Sequence, residues 1–364
     1  LKVFIDLHHF DLFYSFQLLF GKRLGWEVWR PIGYDWIENG YWAIHDHPII
    51  QQGYLGQDVE LELDKWSSFK GQSTWARHAS EVLRIGKTEL VAPGIYRVLD
   101  KSKDIWQHAI TFDAFRDTKF DVIISTVPQH YLLFEKLKKE YQPRAKHIFQ
   151  AGNAWSVPEG CQNMMFSSVP SHVPAGTNTV KCHQEFDLDV FCPLLEYSDA
   201  PFVEVNSYVH FPQSESLMME VMGCLSSLRS YLFSFVGKTE GYRKDIIIKT
   251  EELARKIRNS SFTWIYKPGG ESFGHILHNS FATGTPVIVS LSQYRGFCGL
   301  DLLENGVTCI DLDQPVWNVA NMIEKVSFEE EMCAMRHRVF QRFEEVVNFD
   351  EEFEKIRTFL ENLK

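Results

Sequence analysis

The seven cysteines of this chain (Cys161, Cys182, Cys192, Cys224, Cys298, Cys309 and Cys333) include no Cys-x-x-Cys pair, and their number is odd. Scattered single thiols argue against a zinc site or a disulfide framework and for a reducing compartment. No run of eighteen apolar residues and no signal-peptide pattern occurs, so no transmembrane segment is expected and a cytoplasmic protein is the default. Positive charge is in short supply: 37 Lys and Arg stand against 48 Asp and Glu, a formal net charge of −11. That balance disfavours a general affinity for nucleic acid or anionic membrane, and leaves room for a local basic site. A Ser nucleophile elbow and a carboxylate pair at glycosidase spacing are both missing. Gly237-Lys238-Thr239 is no P-loop, because the earlier glycine is absent. Asp187-Leu188-Asp189 has the letters of an Asp-x-Asp metal motif but lies in a linker segment, so no metal is expected.

What is present is a soluble-protein composition in a chain of 364 residues, too long for one core, so two domains are expected. Aromatic content is 14%, with 28 Phe and 10 Trp, which points to large cores or stacking surfaces. The first half alternates strands and helices. Lys2 to Leu7 read as a buried strand, Phe13 to Leu24 as a helix ending at Gly25, and Trp26 to Trp29 as a strand stopped by Arg30-Pro31. Phe120 to Thr126 and His147 to Gln150 read as further strands around a helix from Gln129 to Tyr141. The pattern breaks down between Pro31 and Trp106, where Tyr34, Trp36, Tyr41, Trp42, Tyr54, Trp66 and Trp75 argue against disorder. That stretch either covers an acceptor site or packs as an insertion with no ligand. The second half resumes with strands at Phe202 to Val209, Tyr231 to Val236 and Asp245 to Lys249, and helices at Ser214 to Arg229 and Glu251 to Asn259. Charged amphipathic helices from Glu329 to Val347 and from Asp350 to Leu363 close the chain. Such alternation implies an α/β class with parallel sheets covered by helices.

The most informative stretch runs from Phe262 to Val289. Phe262 to Tyr266 form a strand that Pro268-Gly269-Gly270 cannot continue. From Ser272 onward Phe273, Ile276, Leu277 and Phe281 recur at helical spacing, Gly284 stops the helix, and Thr285-Pro286 leads into Val287-Ile288-Val289. A glycine loop opening a helix lets backbone N–H groups approach a phosphate, with the helix dipole behind them. Glu271 has the wrong sign for a phosphate and suits a polyol as hydrogen-bond acceptor. Phosphate and polyol together suggest a nucleotide sugar.

Lys267-Pro-Gly-Gly-Glu271-Ser-Phe-Gly274, followed by Ala282-Thr-Gly-Thr-Pro-Val-Ile288, resembles the donor-site signature of GT-B glycosyltransferases, especially the retaining family four. The resemblance implies two Rossmann-like domains facing each other across a cleft, a nucleotide-sugar co-substrate, and no tightly bound cofactor. It places Glu271 on the donor sugar and Asn279 where the family holds the ribose hydroxyls, with Gly269, Gly270, Ser272, Phe273 and Gly274 forming the donor loop. It also implies an Arg and a Lys after the first strand of the second domain; Val209 to Ser214 carry neither, so Lys238, Lys267 and Arg295 are the candidates for the diphosphate. Phe186-Asp-Leu-Asp-Val-Phe191 looks like the segment that closes the first domain. The expected domains are 1–191 for the acceptor and 201–345 for the donor, with 346–364 crossing back onto the first.

His8 and His9 follow the first strand, where doubly wound sheets place ligands. At most one faces the site, as partner of a phosphate or acceptor hydroxyl, or as the base of an inverting relative; the competing role is a helix-start histidine capped by Asp11 or Ser15. His130 and Asn153 occupy comparable loops, where capping and turn roles compete. Besides retaining transfer, the residues leave open an inverting transferase or sugar-nucleotide epimerase, a DNA-base glycosyltransferase, and an inactive nucleotide-binding scaffold. Glycan, lipid-linked sugar, small molecule, protein and modified nucleobase all remain open as acceptor.

Overall fold

The structure, a computed structural model, describes residues 1–6, 10–31, 87–100, 105–126, 128–151, 157–167, 173–193, 205–208, 212–225, 235–236, 250–267, 273–327 and 329–364. They form two compact units, Leu1–Phe186 with Asp350–Lys364, and Asp187–Phe349.

The first unit is built on nine strands: β1 (Lys2–Ile5), β2 (Glu27–Pro31), β3 (Lys87–Ala92), β4 (Ile95–Asp100), β5 (Ile105–Ile110), β6 (Val122–Ser125), β7 (Lys146–Ala151), β8 (Asn163–Phe166) and β9 (Asn178–Lys181). Their order is β3-β4-β5-β2-β1-β6-β7-β8-β9. All neighbours are parallel except β3 with β4 and β4 with β5. β1 and β6, apolar except for Lys2 and Ser125, are central, where both faces of a parallel strand are covered. Phe4 of β1 packs its ring 4.9 Å from Phe115, 5.3 Å from Phe120 and 5.5 Å from Phe134.

Three local expectations change. β2 runs through Arg30 and Pro31, which pair with Ala109 and Ile110; a proline as last residue of a strand forfeits little of the ladder. Lys87 to Asp100, which the sequence leaves irregular, is an antiparallel hairpin turning at Gly94, whose φ is +72°. A Cβ there would collide with Thr111, the residue that caps the helix Phe112–Asp117 through Ala114 N–H. The helix expected to run to Leu24 is α-helical from Phe10 to Phe16 and widens over Gln17–Arg23, where Leu24 N–H reaches back five residues to the Leu19 carbonyl at 3.1 Å. Gly25 ends it at φ +67°, as its position in the sequence suggests.

Among the described residues the second unit has five parallel strands, β10 (Val205–Tyr208), β11 (Phe235–Val236), β12 (Phe262–Ile265), β13 (Val287–Val289) and β14 (Cys309–Asp311), in the order β11-β10-β12-β13-β14. Helices Pro212–Cys224, Thr250–Arg258, His275–Ala282, Val316–Val326 and Glu329–Val346 accompany them. The strand expected at Asp245 to Lys249 lies outside the described residues. Arg336 of the helix Glu329–Val346 is fully buried. It donates to the carbonyls of Ser260 at 2.9 Å and Arg258 at 2.8 Å, and to Thr285 Oγ1 at 3.3 Å.

The last helix, Phe349–Glu361, returns to the first unit, where Ile356 and Phe359 join the core. Arg23 bonds both Glu185 (Nε to Oε1, 2.9 Å) and Asp350 (2.7 Å), and Glu352 accepts the His183 backbone N–H at 2.7 Å. Arg23 therefore ties the chain just before it leaves the first unit to the chain just after it comes back.

Replacing Arg336 with Met keeps the apolar stem and removes every donor, taking a partner from the buried Ser260 carbonyl and from the part-buried Arg258 carbonyl. The expected cost is about 3 kcal/mol of unfolding free energy, read in urea titrations as a lower midpoint. An unchanged midpoint would mean the helix holds its place by apolar packing alone.

Candidate functional site

Because β10, β12, β13 and β14 are parallel, their carboxyl ends share one edge of the second sheet, the edge where such sheets bind ligands. β12 delivers the chain to Lys267, which is half-buried and donates its backbone N–H to Gln293 Oε1 at 3.0 Å. Gly269, Gly270, Glu271 and Ser272 lie outside the described residues. The chain resumes at Phe273, buried and stacked on the His278 ring at 3.8 Å, with His275 meeting it edge-on at 5.1 Å.

Gly274 adopts φ 70° and ψ 71°, a left-handed conformation that a side chain would strain. Its carbonyl accepts the His278 backbone N–H at 3.1 Å and lies 3.0 Å from His278 Nδ1. This turn postpones the helix: the sequence suggests a start at Ser272, whereas the first helical residue is His275. Gly284, at φ 69°, ends it as expected.

Asn279 sits on this helix, 6% exposed, and its Oδ1 finds no donor among the described residues. A buried, unused carbonyl oxygen costs about 1–3 kcal/mol, so the position favours a donor supplied from elsewhere.

The loops after β13 and β14 are joined by carboxylates. Asp313 accepts the Ser290 hydroxyl at 2.5 Å, the Ser292 backbone N–H at 2.6 Å and the Ser292 hydroxyl at 3.1 Å. Asp311 accepts the backbone N–H groups of Leu291 at 3.1 Å and Asp313 at 3.0 Å. Burial pushes the Asp313 carboxyl up, but the bonds from Ser290 and Ser292 and the charge of Arg295 outweigh it and hold the group below the usual carboxylate range. Arg295 itself is exposed. The sequence singles out Arg295 but neither aspartate nor Gln293. Their only signal is an acidic or amide residue that ends a buried strand or follows it by two to four positions.

In the first unit the loops after β1 and β6 are joined by Asp6, which is buried and accepts the Thr126 N–H at 3.0 Å and its hydroxyl at 2.5 Å. His8 and His9, two and three residues on, lie outside the described residues, as do Asn153 and Lys238. His130 falls in the first turn of the helix Pro128–Tyr141, and its side chain is outside the description. Ser125, His147 and Glu135 are aligned like a Ser–His–Glu relay, with His147 2.8 Å from Ser125 Oγ and 2.6 Å from Glu135 Oε1. Burial lowers the His147 imidazole against the opposing bond to Glu135, and the bond from His147 lowers the Glu135 carboxyl. Ser125 is fully buried among the described residues, and these bonds join β6 to β7 and to the helix beside them.

Among the described residues no three His, Cys, Asp or Glu side chains gather at metal-binding spacing, and no helix is long and apolar enough to cross a membrane.

No protein-family profile matches the chain, and no curated protein matches its sequence. Solved structures do match. HepE from Anabaena in complex with UDP aligns at a TM-score of 0.57 and 10% identity, covering 100% of both chains. A glycosyltransferase from Rickettsia africae aligns at 0.55 and 9% identity over 99% of each chain. Sucrose-phosphate synthase from Thermosynechococcus elongatus aligns at 0.54 and 12% identity, covering 99% of this chain and 98% of that one. At these identities the likeness speaks to architecture, and it bears out the class expected from the sequence: the chain has the GT-B fold, an α/β architecture on parallel sheets.

Proposed function

We propose that the chain is a glycosyltransferase that moves a sugar from a nucleotide-sugar donor to an acceptor, with retention, without a metal, and as a relative of family four. The observation that carries this reading is the left-handed turn at Gly274, which opens a helix that buries Asn279 with a carboxamide oxygen lacking a donor among the described residues. A ribose diol offers the hydroxyl donor that Asn279 Oδ1 lacks, and the Asn279 amide can donate in return. HepE has been crystallised with UDP and with UDP-glucose, which makes a uridine nucleotide the first donor to try.

In this reading residues 201–345 hold the donor and residues 1–191 the acceptor, and residues 346–364 complete the acceptor domain. Backbone N–H groups of the 269–274 loop and the side chains of Lys267, Lys238 and Arg295 face the diphosphate. The developing negative charge on the leaving nucleotide needs such donors in place before reaction. Glu271 accepts hydrogen bonds from the donor sugar and stabilises positive charge building at its anomeric carbon. One of His8 and His9 contacts a phosphate or the acceptor hydroxyl. The acceptor class is not specified by these groups.

Glu271→Gln is expected to preserve folding and most nucleotide affinity while lowering turnover about a hundredfold or more, measured as UDP release from UDP-glucose and acceptor arrays. Wild-type turnover in that variant would remove Glu271 from the reacting centre.

Nucleotide contacts separate by titration calorimetry with UDP and with uridine. Lys267→Ala and Lys238→Ala should each weaken UDP binding and spare uridine, because a lysine pairs with phosphate charge. Asn279→Leu should weaken both ligands alike, by about tenfold, the scale of one or two hydrogen bonds. Loss confined to UDP in Asn279→Leu would take Asn279 away from the ribose.

A further inference from the structure

Resting on the donor-site reading above, we propose that Gln293 is a positioning residue for the donor loop, held for that task by Asp313 and Asp311. Lys267 is the last residue before the loop that can donate a backbone N–H until Gly269, since Pro268 has none. That N–H goes to Gln293 Oε1 at 3.0 Å, across 26 residues of sequence. A backbone N–H demands an acceptor, so the contact also sets which way round the carboxamide lies.

Gln293 is itself fixed. Its turn, Leu291–Tyr294, begins at Ser290, whose hydroxyl bonds Asp313. The N–H groups of Leu291 and Ser292 go to Asp311 and Asp313. At the other end Tyr294 is fully buried, and Gly299 packs so closely against Tyr294 and Leu277 that a Cβ there would collide with the Leu277 side chain. Leu277 belongs to the helix that the donor loop enters. The loop after β14 thus holds the loop after β13, which in turn holds the start of the loop after β12. In this way Gln293 holds Lys267, the point from which the chain leaves β12 for the donor loop, without itself touching a ligand.

The contact uses only the oxygen of Gln293, so Glu is the conservative replacement and Met the disruptive one of similar length. Hydrogen exchange of the unliganded protein should show faster exchange in peptides spanning 267–273 for Gln293→Met, and wild-type exchange for Gln293→Glu. UDP-glucose should bind Gln293→Met about tenfold more weakly than wild type, with Gln293→Glu close to wild type and melting temperatures little changed in both. Unaltered exchange in Gln293→Met, or equal losses in the Met and Glu variants, would overturn the inference. If wild type and Gln293→Met bind UDP-glucose alike, the inference fails while the donor site stands. If wild type binds neither UDP nor UDP-glucose, the donor-site reading fails and takes the inference with it.

Discussion

A single guanidinium sets the alignment of the second sheet. Arg336 is fully removed from water, a state that costs several kcal/mol unless its hydrogens are used. Two of its acceptors, the carbonyls of Arg258 and Ser260, close the helix Thr250–Arg258, where the backbone dipole is negative and welcomes a cation. Its third partner, Thr285, stands just before β13, and Ser260 stands just before β12. The amino ends of two adjacent strands are therefore referred to one charge on the helix Glu329–Val346. Hydroxyls continue the alignment: Ser280 donates to Thr263 at 3.0 Å, and Thr283 and Thr285 lie 3.1 Å apart. Buried polar groups of this kind stabilise only when every partner is placed, which favours one arrangement over its neighbours.

The two ends of this sheet are held by opposite chemistry. The amino ends are joined by a cation and hydroxyls that consume carbonyl oxygens; the carboxyl ends by Asp311 and Asp313, which consume N–H groups. This division follows from the parallel arrangement, since loops leaving the carboxyl ends present backbone donors and a helix ending below presents acceptors. A short strand has little freedom once both ends are fixed. β12 has four residues and β13 three, so a shift at either end would be transmitted through the strand to the candidate donor loop. The first unit uses a similar device at its own carboxyl edge, where Asp6 takes both the N–H and the hydroxyl of Thr126.

How much of this was legible in the sequence depends on whether the cause was local. Val122-Ile123-Ile124 and Val287-Ile288-Val289 could be read as buried parallel strands because no polar alternation interrupts them. Gly25 and Gly284 marked helix ends because a left-handed turn admits few other residues. The hairpin Lys87 to Asp100 was missed although Pro93-Gly94 announces its turn, since its strands carry Lys, Glu and Arg at an antiparallel edge and lack a continuous apolar run. The helix Val316–Val326 went unread as well, beginning as it does after Pro315 with no side-chain cap. In the candidate site, the helix and its glycine were legible as one contiguous motif. Gln293, Asp311 and Asp313 were not, because each acts on a backbone group or side chain 2 to 26 positions away and has no local pattern of its own.

Asn279 brings these considerations together. At 6% exposure a carboxylate in its place would be taken out of water. An ionised group there would be costly before any ligand arrived, and burial would push its pKa upward. A carboxamide avoids that cost and loses the charge-assisted half of a bond to a diol. What remains is an oxygen without a donor among the described residues; a buried carbonyl left wholly unsatisfied costs about 1–3 kcal/mol. In the proposed reading, a ribose hydroxyl at that oxygen would supply the missing donor. What a neutral Asn279 gives up in charge is, in the same reading, partly offset by supplying that oxygen with a donor.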